Sequence, residues 1–182
     1  MEEFKKTIIN YQENKLSKIA NKLKTRLEIK ETVESVRQKN PDIKIVTTNG
    51  AFDMLHIGHI NSLVKARSFG DILIVGLNSD ASVRRYKSPL RPIIAQQYRA
   101  EMLAALEVVD YVTIFDEDDP RELLKVIKPD FHVKSRTGFK GIEREAVESN
   151  GGQIILLEDI PGISTTDIIK KILEIEKQEH KQ

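Results

Sequence analysis

A doubly wound α/β fold is predicted for this 182-residue chain by two observations. From residue 43 onward, short apolar runs alternate with stretches of helical periodicity, and the turns between them are brief. The runs are nearly continuous rather than alternating apolar with polar, as expected of parallel strands covered by helices on both faces. Five strands are expected: "IKIVTT" (43–48), "DILIVGL" (71–77), "VDYVTIF" (109–115), "FHVK" (131–134) and "GQIILL" (152–157). Helices are expected at about 57–69, 79–86, 95–106, 119–127, 140–149 and 164–178. In such sheets ligands bind beyond the carboxyl ends of the strands, near the point where the strand order reverses.

Residues 1–42 differ from the rest: they are rich in Lys, Glu, Gln and Asn, with no Gly and one Pro. Leu16, Ile19, Leu23 and Leu27 recur at three- and four-residue spacing, which predicts a helix. "TRLE", from Thr25 to Glu28, has the form of a capping box opening a second helix with Ile29, Val33 and Val36 on one face, and "NPD" at 40–42 ends it. The expected organisation is a helical amino-terminal extension (1–42) and one domain (43–182). Lys15, Lys18, Lys22, Lys24 and Arg26 make the extension locally basic, which fits a solvated face or a docking surface. Its apolar stripe can fold back on its own domain or bring two copies together.

Lys and Arg total 29 against 28 Asp and Glu, so no global field draws the chain to nucleic acid or an anionic membrane. The absence of cysteine excludes disulfides, thiolate zinc sites and cysteine nucleophiles. "MEEFKKTIIN" lacks the apolar core of a signal peptide, and no apolar run approaches the ~18 residues needed to span a bilayer. A soluble cytoplasmic protein is expected.

The first strand runs into "TNGAFDMLHIGH" (48–59), whose last four letters also occur in class I aminoacyl-tRNA synthetases. One domain of this size does not fit a multidomain synthetase. His56, Gly58 and His59 stand where a helix begins, and a helix amino terminus offers unpaired N–H groups and a positive dipole end to phosphate. Gly50 is expected to let the loop turn, and Gly58 to remove a side chain where a phosphate or base nears the backbone. Two imidazoles one turn apart can donate to phosphate oxygens. A zinc site would need further ligands, yet only His132 and His180 remain and the usual helical metal pair is spaced i, i+4. A purely structural histidine pair is the remaining reading.

"TNGAFDMLHIGH" resembles the first signature of the HxGH nucleotidyltransferases, the cytidylyltransferase-like superfamily. Further segments match in order: "GDILIVGLNSDASVRRYK", "RPI" (91–93), "QQYRAEMLAALEVVDYV" (96–112), "KPDFHVKS" (128–135) and "GISTTDIIKKI" (162–172), so that the similarity spans residues 43–175. The resemblance implies a Rossmann-like five-stranded sheet, often in a homodimer. It implies transfer of a nucleotidyl group from ATP or CTP to a small phosphorylated acceptor, with Mg2+ carried on the phosphates and pyrophosphate released. The most similar branch adenylylates a heptose 1-phosphate. Glycerol-3-phosphate cytidylyltransferases are a neighbouring alternative, as are FAD-synthetase-like enzymes and a non-catalytic nucleotide-binding module.

The resemblance assigns catalysis to His56, His59 and Lys87. Nucleotide binding falls to Thr48, Asn49, Gly50, Ala51, Phe52, Gly58, Arg91, Arg99, Lys134, Ser164, Thr165 and Thr166, and acceptor positioning to Asp53. Read alone, Lys87 fits a solvated loop lysine, Arg99 a helix-surface arginine and "STTD" a simple cap. Two departures bear on the substrate. "VKSRTGFKG" stands where the heptose branch usually has "VKGGDY", and "EDIPGISTT" lacks the arginine common before this motif in cytidylyltransferases.

Overall fold

The computed structural model describes residues 16–159 and 161–179; the predicted start of the first helix, with Lys15, lies outside them, as does His180. Five parallel strands form one sheet in the order β3-β2-β1-β4-β5: β1 (Ile45–Gly50), β2 (Ile72–Asn78), β3 (Tyr111–Phe115), β4 (Phe131–Ser135) and β5 (Gln153–Leu157). Eight helices accompany them among the described residues: α1 (16–22), α2 (Arg26–Lys39), α3 (Ile57–Arg67), α4 (Asp80–Tyr86), α5 (Gln96–Ala104), α6 (Arg121–Ile127), α7 (Arg144–Glu148) and α8 (Thr165–Glu179). Every predicted strand is present within two residues at each end. The sheet order, which sequence does not carry, puts the reversal between β1 and β4.

β2 explains why its run is apolar throughout. Leu73, Val75 and Leu77 enter one cluster with Leu63 and Ala66 of α3 and Ala100, Leu103 and Ala104 of α5. Ile74 enters the opposite cluster with Ile29 and Val33 of α2 and Leu123 and Ile127 of α6. Successive side chains point to opposite faces, so a strand buried on both sides must be apolar at every position.

From residue 16 the extension folds back on this sheet. Thr25 caps α2 as predicted: its hydroxyl accepts from Glu28 N–H at 3.2 Å, and the Glu28 carboxylate accepts from Thr25 N–H at 2.7 Å. Ile29 is fully buried. The link from α1 to α2 runs along the outer edge of β3, where Lys24 N–H donates to Val112 O at 2.9 Å. Lys22 Nζ donates to Leu106 O and Val109 O at 3.0 and 2.7 Å, so part of the basic bias satisfies carbonyls after α5 rather than facing solvent. Covering an edge strand in this way hides unpaired backbone groups from other chains.

Candidate active site

A cleft of about 570 Å3 opens beyond the carboxyl ends of β1 and β4. The end of β1 and its loop form one wall (Thr48, Asn49, Gly50, Ala51, Phe52), and the start of α3 adds His56, Gly58, His59 and Ser62. Tyr86 and Lys87 close one side at the end of α4. Opposite lie Lys134, Ser135, Thr137 and Gly138 after β4, with Asp159 and the turn into α8 (Gly162 to Asp167). Two helix amino termini, those of α3 and α8, thus border the same cavity, and both favour anions there.

The loop from β1 to α3 is held against its own backbone preference. Phe52 and Met54 have φ of 46° and 52°, a region that costs a non-glycine residue about 1–3 kcal/mol. Bonds from three other segments impose it. Arg99 donates to Ala51 O and Thr165 Oγ1 donates to Asp53 O at 2.8 Å. The buried Asp53 carboxylate accepts from Ile93 N–H at 2.9 Å, Ile94 N–H at 3.0 Å and Arg91 Nε at 2.7 Å. Burial by itself raises the Asp53 pKa, but these donors outweigh it and hold the carboxyl below its ordinary value. The Phe52 ring then lies 5.3 Å from the His59 ring and backs it.

Both histidines are oriented through Nδ1. His56 caps α3 by accepting from Gly58 N–H at 3.1 Å, and His59 Nδ1 accepts from His56 N–H at 3.4 Å. An imidazole that accepts at Nδ1 carries its proton on Nε2, so both rings keep an Nε2–H donor. The rings stack at 3.8 Å, which two imidazolium ions would resist. Burial lowers the pKa of His56; burial, with His56 and Lys87 nearby, lowers that of His59 to about 4. The pair is therefore neutral at pH 7. Gly58 is explained by the same cap, because a Cβ there would lie 2.9 Å from His56 Cε1 and 3.0 Å from its Nδ1. Its immediate role is to make room for the ring, before any ligand is considered.

Of the residues assigned from sequence, Thr48, Asn49, Gly50, Ala51, Phe52, His56, Gly58, His59, Lys87, Lys134, Ser164, Thr165 and Thr166 line the cleft. Asp53, Arg91 and Arg99 do not. Arg99 is fully buried, and its guanidinium donates to Ile94 O, Ala51 O, Asn78 O and Asp80 Oδ1. The expectation that it reaches the ligand is corrected: fully buried, with four of its five N–H donors bonded to the protein, it braces the walls from behind. Asp53 likewise has its carboxylate committed to the 91–94 segment, so it positions that segment rather than an acceptor. Arg91 is its ion-pair partner, with Nη2 2.7 Å from Asp53 Oδ2.

In "STT" the three hydroxyls separate. Ser164 Oγ donates to Asp167 Oδ2 and accepts from Asp167 N–H, and Thr165 is buried on Asp53 O. Thr166 alone of the three lines the cleft without such a commitment. Sequence reasoning missed Tyr86, Ser62, Ser135, Thr137, Gly138, Asp159, Gly162, Ile163 and Asp167. The atypical "VKSRTGFKG" was the available signal for Ser135, Thr137 and Gly138. Thr137 Oγ1 donates to Asp159 Oδ2 at 2.6 Å, which ties that segment to the one before α8. Among the described residues no three His, Asp or Glu side chains converge as a metal cage, and no helix is long and apolar enough to cross a membrane.

Comparison with known proteins finds relatives over most of the chain. The model of a family described as cytidylyltransferase-like matches residues 47–171. A "Bifunctional protein HldE" from Syntrophotalea carbinolica is 46% identical over 156 residues, which is 85% of this chain and 31% of the relative. Its namesake from Geobacter sulfurreducens is 52% identical over 135 residues, 72% of this chain and 27% of the relative. The chain thus spans less than a third of the length of these curated relatives. Among solved structures, the lipopolysaccharide core biosynthesis protein from Thermoplasma volcanium superposes with a TM-score of 0.58 and 26% identity, over 65% of this chain and 98% of that one.

Proposed function

Because the chain belongs to the cytidylyltransferase-like family, we propose that it is a nucleotidyltransferase that transfers AMP from ATP to a heptose 1-phosphate, releasing pyrophosphate. The observation that carries the reaction type is the histidine pair: two neutral, stacked imidazoles, each fixed through Nδ1, with an Nε2–H left to donate beside two helix amino termini. The choice of ATP and heptose rests on the branch resemblance and on relatives sharing about half of their aligned residues with this chain, both named HldE.

The acceptor phosphate is already an anion at neutral pH, so no base has to remove a proton. What the protein supplies is alignment of two repelling anions for in-line attack on the α-phosphorus, and donors for the charge that moves to the leaving oxygens. His56 and His59 donate through Nε2–H. Lys87 and Lys134 neutralise phosphate charge from two sides of the cleft. The amino terminus of α8 with Thr166 takes the outer phosphates. Asp53, Arg91 and Arg99 keep these groups in register without touching the ligand. Mg2+ arriving on the triphosphate would add neutralisation of phosphate charge. Asp159 and Asp167 are the carboxylates this chain offers on the cleft wall.

An ATP-dependent reaction of this kind belongs in the cytoplasm, and the near-neutral charge gives no reason for a nucleic-acid or membrane partner. We also infer a homodimer: α8 leaves Ile172, Leu173 and Ile175 about half exposed, an apolar stripe suited to a second copy. Light scattering reads that directly, and a monomer at micromolar concentration removes the inference. For the activity, purified protein is incubated with Mg2+, ATP or CTP, and a panel containing heptose 1-phosphate and glycerol 3-phosphate, while pyrophosphate is followed. Release with ATP and the heptose is expected. Turnover only with CTP and glycerol 3-phosphate would overturn the substrate, and no turnover with any pair would overturn the reaction.

A further inference from the structure

Glu143 lies just before α7, outside the cleft lining and outside every role assigned above. It is 3% exposed, and its Oε2 has no hydrogen-bond partner among the described residues. A carboxylate buried in this way is costly unless a cation compensates it. The cation at hand is Lys134, whose Nζ is 3.9 Å from Glu143 Oε1. That lysine is itself largely buried, at the end of β4 on the cleft floor, and bonds across to β1: Nζ donates to Asn49 Oδ1 at 2.9 Å and to Asn49 O at 3.3 Å. An ammonium has three donors. Two go to Asn49, and the Glu143 oxygen is too far for a full hydrogen bond. Asn49 therefore fixes the position of the ammonium, Glu143 supplies the compensating charge, and one N–H is left for a ligand.

We propose that Glu143 is a positioning residue that keeps Lys134 cationic and in place on the cleft floor, where Lys134 takes a phosphate oxygen of the bound nucleotide. The proposal rests on the nucleotidyltransferase reading. The charged groups around Lys134 make a counter-ion necessary. Lys140 lies on the loop before α7 and Lys87 at the end of α4, and both disfavour another cation. His132, two residues earlier on β4, is fully buried and neutral and offers no negative charge. Burial lowers the Lys134 pKa and Glu143 is the group that raises it again.

Removing the negative charge while keeping the shape therefore lets Lys134 lose its proton as pH rises. In Glu143→Gln, KM for ATP, and the dissociation constant of a non-hydrolysable ATP analogue, should begin to climb at a lower pH than in the wild type, by up to about tenfold for each pH unit above the lysine pKa. Glu143→Asp, which keeps the charge, should follow the wild-type profile, and kcat should move less than KM. A Lys134→Met background separates positioning from a direct role, since Glu143→Gln should add nothing to it. This double variant also removes both buried charges and should fold even where Glu143→Gln alone does not.

Parallel pH profiles for the wild type and Glu143→Gln would overturn the proposal, and so would a further loss from Glu143→Gln in the Lys134→Met background. A wild type that neither binds nor turns over ATP fails earlier and differently: it overturns the proposed function itself.

Discussion

The two walls of the cleft are built by different means. The wall from β1 to α3 is strained, buried and fixed from behind: Phe52 and Met54 sit at positive φ because Arg99, Thr165 and the 91–94 segment hold the loop. Beyond Lys134 and Ser135, the wall from β4 and β5 is exposed and tied together by its own side chains, Thr137 to Asp159 and Arg136 to Glu158. Surface pairs of this kind contribute little to stability, whereas an unpaired buried charge is severe. Under the proposed reaction, the chemistry, which needs fixed donors, falls to the first wall. The choice of ligand then falls to the second, where substitutions are less costly to stability.

The largest test of this division is Arg99→Met. It strips donors from Ala51 O, Asn78 O and Asp80, and should cost about 3–5 kcal/mol in urea denaturation, as expected for breaking a buried ion pair. Activity should fall with it although Arg99 does not line the cleft. Next, His56→Ala or His59→Ala should lower kcat on the order of 10²-fold, the effect of removing one transition-state donor, with at most about 1 kcal/mol lost in stability. Gly58→Ala approaches the same ring from the other side. Its Cβ must displace His56, and a loss of about tenfold to a hundredfold in kcat is expected.

A pH experiment addresses the fixed interior as a whole. His59 and His132 have folded-state pKa values of about 4 and about 3, below the ordinary value of 6.5, in both cases chiefly through burial. The unfolded chain therefore takes up protons first. Their contribution to stability is complete above pH 6.5 and is lost as pH falls from there through 4 towards 3, so the thermal midpoint should decline over that window. A midpoint independent of pH from 7 to 4 would contradict the neutral, buried state of both rings. The smallest effect is expected from Thr137→Val: stability within about 0.5 kcal/mol of the wild type, with KM for nucleotide or acceptor changed severalfold and kcat kept. If this variant lost as much kcat as His56→Ala, the two walls would not differ in the way described.

The strands and the histidine site were legible because each is written locally. A run such as "DILIVGL" is apolar at successive positions, as a strand buried on both faces requires, and "HIGH" follows a strand directly where the next helix begins. Arg99, Asp53 and Glu143 were illegible for the opposite reason. Their roles depend on partners 21 to 48 residues away in the first case (Asn78 and Ala51), 38 to 41 in the second (Arg91, Ile93 and Ile94) and nine in the third (Lys134). A motif shared with relatives marks such residues as belonging near a site, but it does not tell a group that faces the ligand from one that holds the wall.

Sequence alone determined the five-strand α/β class, the capped second helix and the strand-to-helix junction at His56. Backbone propensity, apolar period and helix capping act over a few residues. Only the tertiary structure decided that the extension covers the β3 edge, that Arg99 is a brace and that Lys134 faces a buried Glu143. Burial and charge pairing are fixed by which distant segments the sheet order brings together, and no local pattern records that order.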